Sequence, residues 1–322
     1  MCQKEEQVYL GDLISADGRQ DKNIDRRKKK GIGIVIQIID ILKTTYFGKY
    51  YFEAALILRS SLLLSSILLN SEAWINLSNK NIRALEQIDE MLLSKILGCQ
   101  SKTSNTLKYL ELGIQPIRFE IMKRKLLFLH YILKQDKKSM LYKVLKTTEE
   151  NSIKNDFVSS CKDDLKRLGL ELTFADIENI SKQKFKNLLK NKVKLLAFEY
   201  LMEQKENQSK AKDIKYKRLE IQRYFVEGNC SASLAKLIFK ARTRTLDIKT
   251  QKSWKYTDKV CVGCEIREET GDEIMSCLKL HGENSSEIKY SWFYSGCALK
   301  MVKAGVLLKK GLEEREKLLI PG

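Results

Sequence analysis

The sequence predicts a mainly α-helical protein: a helical bundle, then a second helical region, then a small cysteine-rich segment. Three observations lead there. Apolar residues recur three and four apart over long stretches, as one face of a helix requires. The 322 residues include only two prolines, Pro116 and Pro321, and few clusters of turn formers, so long segments can stay helical. A hydrophobic share of 43% beside 31% charged residues supplies a core and a solvated surface for two domains.

Residues 7–15 alternate, with Val8, Leu10, Leu13 and Ile14 apolar, and predict a strand followed by the turn signal Ser15-Ala16-Asp17-Gly18. With little to pair against, that strand is expected to be loosely held. Five consecutive cations, Arg26-Arg27-Lys28-Lys29-Lys30, lead into a helix over 32–42. Crowded on one turn they repel each other and suit a polyanion; a solvated helix start accounts for them equally well. Gly31 and Gly33 lower helix propensity there by roughly 1 kcal/mol each.

The chain is organised around residues 47–97, which read as two apolar helices joined by a short loop. In the first, over 50–70, Leu56, Leu62, Leu63, Leu64, Ile67, Leu68 and Leu69 are nearly continuous, so burial on most sides is expected. Its stretch 54–69 carries Arg59 and four serines and falls short of the ~20 apolar residues a membrane span needs, so it reads as core. The second starts behind the N-cap Ser78, sets Leu85, Ile88, Leu92 and Ile96 on one face, and stops at Gly98.

A short helix over 103–112 ends at Gly113, and Pro116 suits the first turn of the next, which runs to about Lys134. There Ile117, Ile121, Phe128 and Ile132 face one way, and Arg118, Lys123, Arg124 and Lys125 form a basic stripe that could dock on phosphates or simply be solvated. His130, among apolar neighbours, is expected to be packed rather than catalytic. Polar residues 135–155 mark a domain boundary. Helices follow over 157–168 and 182–202, the latter with Phe185, Leu188, Leu189 and Leu196 inward and Lys182, Lys186, Lys190 and Lys194 outward. A row of like charges at i, i+4 is poor for an isolated helix and would be relieved by a phosphate track. Further helices are expected up to Phe225, over 232–244, and through Lys317.

The net charge of +18 favours a polyanionic partner, nucleic acid above all; the alternative reading is that the lysine-, isoleucine- and asparagine-rich usage follows an AT-rich genome. Eight scattered cysteines and the polar start Met1-Cys2-Gln3-Lys4-Glu5-Glu6 give neither a disulfide framework nor a signal peptide. The expectation is an intracellular protein, nuclear or cytoplasmic, with no membrane association and no small-molecule substrate.

Several segments, in one order, carry a resemblance. Tyr9-Leu10-Gly11, Asp17-Gly18, Ile24 and Arg26-Arg27 come first, then Asn70-Ser71-Glu72-Ala73-Trp74 and Leu85-Glu86-Gln87-Ile88-Asp89. Tyr109-Leu110-Glu111-Leu112-Gly113, Pro116-Ile117-Arg118, Ser209-Lys210-Ala211-Lys212 with Tyr216, and Lys240-Ala241-Arg242-Thr243-Arg244 follow. Together, over about residues 7–280, they resemble the C-terminal part of a non-LTR (LINE-type) retrotransposon reverse transcriptase. The resemblance implies a palm-edge strand at 1–20, a thumb-like helical domain at 21–135, a helical connector at 136–250, a zinc-knuckle-like segment at 251–285 and a C-terminal helix at 286–322. It implies that Tyr9, Leu10 and Gly11 lay beside a primer terminus, and that RNA and DNA are the partners, with Arg242 and Arg244 joining the basic residues above.

Cys261-Val262-Gly263-Cys264, then Cys277 after twelve residues and His281 three later, give C-x2-C-x12-C-x3-H. Two ligands on a turn and two at near-helical spacing gather a tetrahedral Zn²⁺, and a polar stretch with no core of its own gains from a metal staple. The resembled family has a cysteine pair, a Glu-Thr element, a His and then a Cys; here Glu269-Thr270 is present and Glu273 stands where that His would be. Either His281 completes the site, or Glu273 does, or the site has decayed. Cys297 is a distant reserve. With four protein ligands the metal would be structural.

Nucleotide addition needs carboxylates, usually two adjacent aspartates, that hold two Mg²⁺ ions about 4 Å apart. The sequence has no Phe/Tyr-x-Asp-Asp, and Asp163-Asp164, its one adjacent pair, reads as helix surface. In the resembled family the catalytic palm, and with it Mg²⁺, would lie before Met1. The expectation is therefore a reverse transcriptase fragment without its catalytic palm, inactive alone and binding RNA or DNA through basic helices. A helical protein–protein adaptor without catalysis is the alternative.

Overall fold

The structure, a computed structural model, describes residues 6–9, 12–15, 20–75, 77–151, 156–227, 230–252, 255–281 and 288–319. The chain is mainly helical, as expected, and divides into two compact units. The first comprises Met1–Asp40, Ile57–Leu92 and Gln115–Tyr200; the second comprises Ile41–Leu56, Leu93–Ile114 and Leu201–Gly322. The expected boundary near residue 136 does not coincide with this division, because the chain contributes to each unit three times.

In the first unit, strands β1 (Glu6–Tyr9) and β2 (Asp12–Ser15) pair antiparallel, with Tyr9 opposite Asp12. The expected single strand is thus a hairpin, and it is tied down. Helix α1 (Asp21–Thr44) presents Asn23, which donates to Asp12 at 3.0 Å and accepts from the Leu13 amide at 3.3 Å, and Arg27, which pairs with Asp12. Gly31 on α1 fits closely: a Cβ there would lie 3.0 Å from both Ile67 and Ile88.

Helix α2 covers residues 51–67 and contains a π-helical segment, Arg59–Leu64. It is one-sided rather than buried all round, since Ile57, Leu62 and Leu69 are exposed while Leu63, Leu64, Ile67 and Leu68 are buried. The widened turn holds Arg59, which donates to Asp89 at 2.6 and 2.7 Å and to the Gln115 carbonyl at 3.3 Å. Asp89 lies on α3 (Asn79–Leu97), where Leu85, Ile88, Leu92 and Ile96 are buried and Ser78 accepts from the Asn81 amide at 3.1 Å. Gly98 ends α3 at φ +60°.

After α4 (Asn105–Leu112), the buried helix α5 (Ile117–Leu133) starts at the N-cap Pro116 and packs against the short turn Ser71–Ala73. His130 is a packing residue: it stacks on Phe185 and contacts the Ile180 carbonyl at 3.0 Å. Helices α6 (Met140–Asn151), α7 (Phe157–Arg167) and α8 (Phe174–Asn179) follow; Asp156 and Thr173 form capping boxes at the last two. Asp164 corrects the surface reading of the aspartate pair: it is buried, 2.6 Å from Lys125. On α9 (Lys182–Glu206), Phe185, Leu189, Val193 and Ala197 form the buried stripe at strict i, i+4 spacing.

In the second unit, α4 begins at Ser104, whose hydroxyl accepts from the Leu107 amide, and ends at Gly113 in the left-handed region, φ +65°. A Cβ at Gly113 would overlap the Ile221 backbone. That close approach explains why no helix runs up to Phe225: Ile221 forms an antiparallel bridge with Leu112, and the Gln222 amide donates to the Glu111 carbonyl at 2.9 Å. A non-local pairing has taken the backbone groups a helix would use. Helix α10 (Ala232–Arg242), capped by Ser231, packs on α13 (Ala298–Leu319); α11 (Gly271–Ser276) and α12 (Leu278–His281) also pack on α13.

Candidate metal centre and nucleic-acid interface

Val260 and Glu268 form an antiparallel bridge, leaving 261–267 as a tight loop. The Cys261 amide donates to the Arg267 carbonyl at 2.8 Å, the Glu265 amide donates to the Cys261 carbonyl at 2.8 Å, and Glu265 itself turns at φ +57°. Backbone amides of Cys264 and Gly263 are directed at the Cys261 thiol. Beyond the loop, the Thr270 hydroxyl accepts from the Glu273 amide at 3.1 Å and starts α11, setting Glu273 on its first turn and Cys277 at its C-cap. Gly263 lets the parts close: a Cβ there would lie 3.0 Å from Leu280 and 3.1 Å from the Cys277 sulfur.

This arrangement gathers Cys261, Cys264, Glu273 and Cys277, whose ligand atoms all lie within 4.8 Å of one another. The Cys264 thiol donates to Glu273 Oε1 at 3.3 Å, and Arg267 stands 3.6 Å from Glu273 Oε2. Burial pushes the Cys261 thiol up to about 11; the Cys277 and Cys264 thiols add to the rise, and the two amides oppose it. Three thiols and a carboxylate in so small a space are a ligand set that suits a divalent cation, whose charge would favour the thiolate form of the cysteines.

His281 is not in the cluster. Its Nε2 contacts the Ile274 carbonyl at 2.8 Å, and its ring lies against Gly311 on α13. The C-x3-H spacing is helical as expected, but α12 turns the imidazole toward α11 and α13 rather than toward the sulfurs. Cys297 is exposed and outside the group as well. The Glu-Thr element is structural: Thr270 caps α11, while buried Glu269 accepts from the Lys249 amide at 2.9 Å and pairs with Arg315 at 2.8 Å. Arg315, deep in a C-terminal helix, gave no local signal of this role.

The basic residues divide into exposed and internal groups. In the cluster on α1, Arg26, Lys29 and Lys30 are exposed and Lys28 is half-buried, whereas Arg27 is buried and donates to the Ser66 carbonyl at 2.7 Å. The stripe on α5 is engaged internally rather than solvated. Arg118 makes a bidentate pair with Glu86 at 2.7 and 2.9 Å, Lys123 pairs with Glu120 at 2.7 Å, and Arg124 donates to the Leu68 carbonyl at 2.7 Å. Lys125 is buried against Asp164 and Ser160. Arg242 is fully buried and paired with Glu111, and Arg244 pairs with Asp213 at 2.5 Å near the surface.

On α9 the expected lysine face holds. Lys182, Lys186 and Lys190 are exposed, Lys194 is half-buried, and the first three are in no ion pair among the described residues. Tyr9 lies at the end of β1, while Leu10 and Gly11 fall outside the described residues. Among those residues, no helix is long and apolar enough to cross a membrane. Compared with protein-family models, curated proteins and solved structures, the chain matches none.

Proposed function

We propose that the protein binds RNA and DNA through its exposed lysines, as the thumb, connector and zinc-knuckle part of a non-LTR retrotransposon reverse transcriptase. The observation that carries this reading is the lysine row of α9, where exposed Lys182, Lys186 and Lys190 flank a fully buried apolar stripe in a chain of net charge +18. Lysines four residues apart are about 6 Å apart along the helix axis, a spacing suited to a nucleic-acid backbone. Arg26, Lys29 and Lys30 offer a second exposed patch.

Cys261, Cys264, Glu273 and Cys277 would hold Zn²⁺ as a structural ion, since with bonds of about 2.0–2.3 Å a tetrahedral ion draws such atoms only slightly closer together. Four protein ligands leave no position open for catalysis. Two-Mg²⁺ polymerase chemistry is not assigned to these residues, because the sequence has no Phe/Tyr-x-Asp-Asp and, in its one adjacent aspartate pair, Asp164 is committed to Lys125.

Titration of a nucleic-acid duplex between about 50 and 200 mM salt tests the binding reading, with a slope of log K against log salt of about −0.9 per phosphate contact expected, and three or more contacts in all. A flat salt dependence would overturn it. Sequencing the transcript in frame upstream of Met1 tests the polymerase reading, through the presence or absence of a Phe/Tyr-x-Asp-Asp hairpin. The second reading is a helical protein–protein adaptor, favoured by the exposed Met140, Leu141 and Val144 on α6.

A further inference from the structure

An open cleft of about 580 Å³ lies in the second unit, between the turn after α1 and the start of α10. Lys43, Thr45, Tyr46 and Lys49 form one side, and Cys230 and Ser231 form part of the other. No carboxylate is among the residues that line it. Tyr46 is 95% exposed and Tyr50 beside it 55%, while Lys43 and Lys49 are exposed as well. The turn is shaped by Gly48 at φ +53°, and a Cβ there would lie 3.6 Å from the Tyr46 ring. Lys49 stands 5.0 Å from the centre of the Tyr50 ring. Behind this edge, Lys236 of α10 donates to the Tyr51 hydroxyl at 3.0 Å and sits 4.2 Å over its ring, so the floor is held while the rim is open.

An aromatic ring as exposed as Tyr46 gains almost nothing from the fold. Between Lys43 and Lys49, which are in no ion pair among the described residues, and at the mouth of a cleft lined by no carboxylate, it has the composition of a base-stacking platform with phosphate holders. The cleft volume lies within the range of about 300–1,000 Å³ that accommodates a small ligand. Only an unpaired base offers a free face, because in a duplex each base is covered by its neighbours.

We propose that this cleft takes a short segment of single-stranded nucleic acid, with one base stacked on Tyr46 and the adjoining phosphates held by Lys43 and Lys49. The proposal rests on the nucleic-acid reading above and adds a site separate from the lysine face of α9. In the resembled enzyme class such a site would engage strand that is not yet, or no longer, paired.

The test measures binding of fluorescent oligo(dT), oligo(U) and a blunt duplex to the full chain, with Tyr46→Ala, Tyr46→Phe and the double variant Lys43→Glu/Lys49→Glu. Tyr46→Ala is expected to weaken single-strand binding by about 5- to 100-fold and to leave duplex binding unchanged. Tyr46→Phe keeps the ring and should retain wild-type affinity, and the double lysine variant should flatten the salt dependence on single strands. Because Tyr46 is exposed, unchanged melting is the check that the variant is folded. If Tyr46→Ala binds single strands as well as a wild type that binds nucleic acid, the cleft proposal is overturned and the lysine-face reading stands. If the wild type binds neither strand form, both fall.

Discussion

Glu111 on α4 and Arg242 on α10 form a buried ion pair at 2.8 Å, although 131 residues separate them in the chain. Glu111 also accepts from the Tyr216 hydroxyl at 2.5 Å and the Tyr224 hydroxyl at 2.6 Å. A second Arg242 nitrogen donates to the Phe293 carbonyl. Three of the motif segments singled out in the sequence therefore converge on one carboxylate. Desolvating two charges is costly, and what offsets it is the set of charge-assisted hydrogen bonds around them. Replacing one partner leaves the other charge stranded. Glu111→Leu or Arg242→Met is expected to cost about 3–5 kcal/mol in urea denaturation, and the double variant should recover part of that loss. Near-neutral single variants would show that the pair is not a structural anchor.

Burial of three tyrosines, two of them on this carboxylate, sets an alkaline limit on stability. Burial, and then the Glu111 charge, raise Tyr216 and Tyr224 well above the ordinary phenol range, with Arg242 opposing. Tyr290 is raised too, by burial and then by Tyr294. A folded value above the unfolded one of about 10 means that this contribution is fully present below pH 10 and is lost as pH climbs beyond it. Of the 13 tyrosines, these three should ionise only together with loss of helical circular dichroism. Complete tyrosinate absorbance in a chain that is still helical would refute this.

Exposed and internal cations should separate in experiment. Lys186→Glu with Lys190→Glu leaves the α9 core stripe intact, so melting should hold while the salt slope of duplex binding falls by about two phosphate contacts. Lys125→Ala strands the buried Asp164 carboxylate and should cost about 3–5 kcal/mol with the salt slope preserved. The opposite pattern would transfer the interface to α5.

What was legible in the sequence is what neighbours decide. Ser78, the Leu85-Ile88-Leu92-Ile96 spacing and Gly98 define α3, and Gly113 ends α4, because caps and periodicity act within a few residues. Cations were legible as charge but not as partners. Arg27 is buried in the middle of a run of five cations because that position of α1 faces Asp12 and the Ser66 carbonyl, and nothing local announces either. Likewise Ile221 reads as helix until Leu112 pairs with it. The cysteine cluster was legible from its spacing except for the choice between Glu273 and His281 as its fourth member, which depends on how α11 and α12 turn.

That choice has a direct test. Glu273 lies among the sulfurs, whereas His281 contacts the Ile274 carbonyl and Gly311. Cys261→Ser and Cys277→Ser should abolish stoichiometric binding of Zn²⁺ or of Co²⁺ as its spectroscopic substitute, since both thiols are buried in the cluster and thiolates dominate the affinity. Glu273→Ala should weaken Zn²⁺ by more than about tenfold, and His281→Ala, outside the ligand set, by less than about tenfold. Chelator competition reads the affinities, and the Co²⁺ charge-transfer band reads the number of thiolates. Because the loop 261–267 has little core of its own, chelating the metal should also lower the melting temperature of the wild type. The reverse ranking of the two variants would assign the site to three cysteines and His281; no binding by the wild type would mean that the cluster holds no metal.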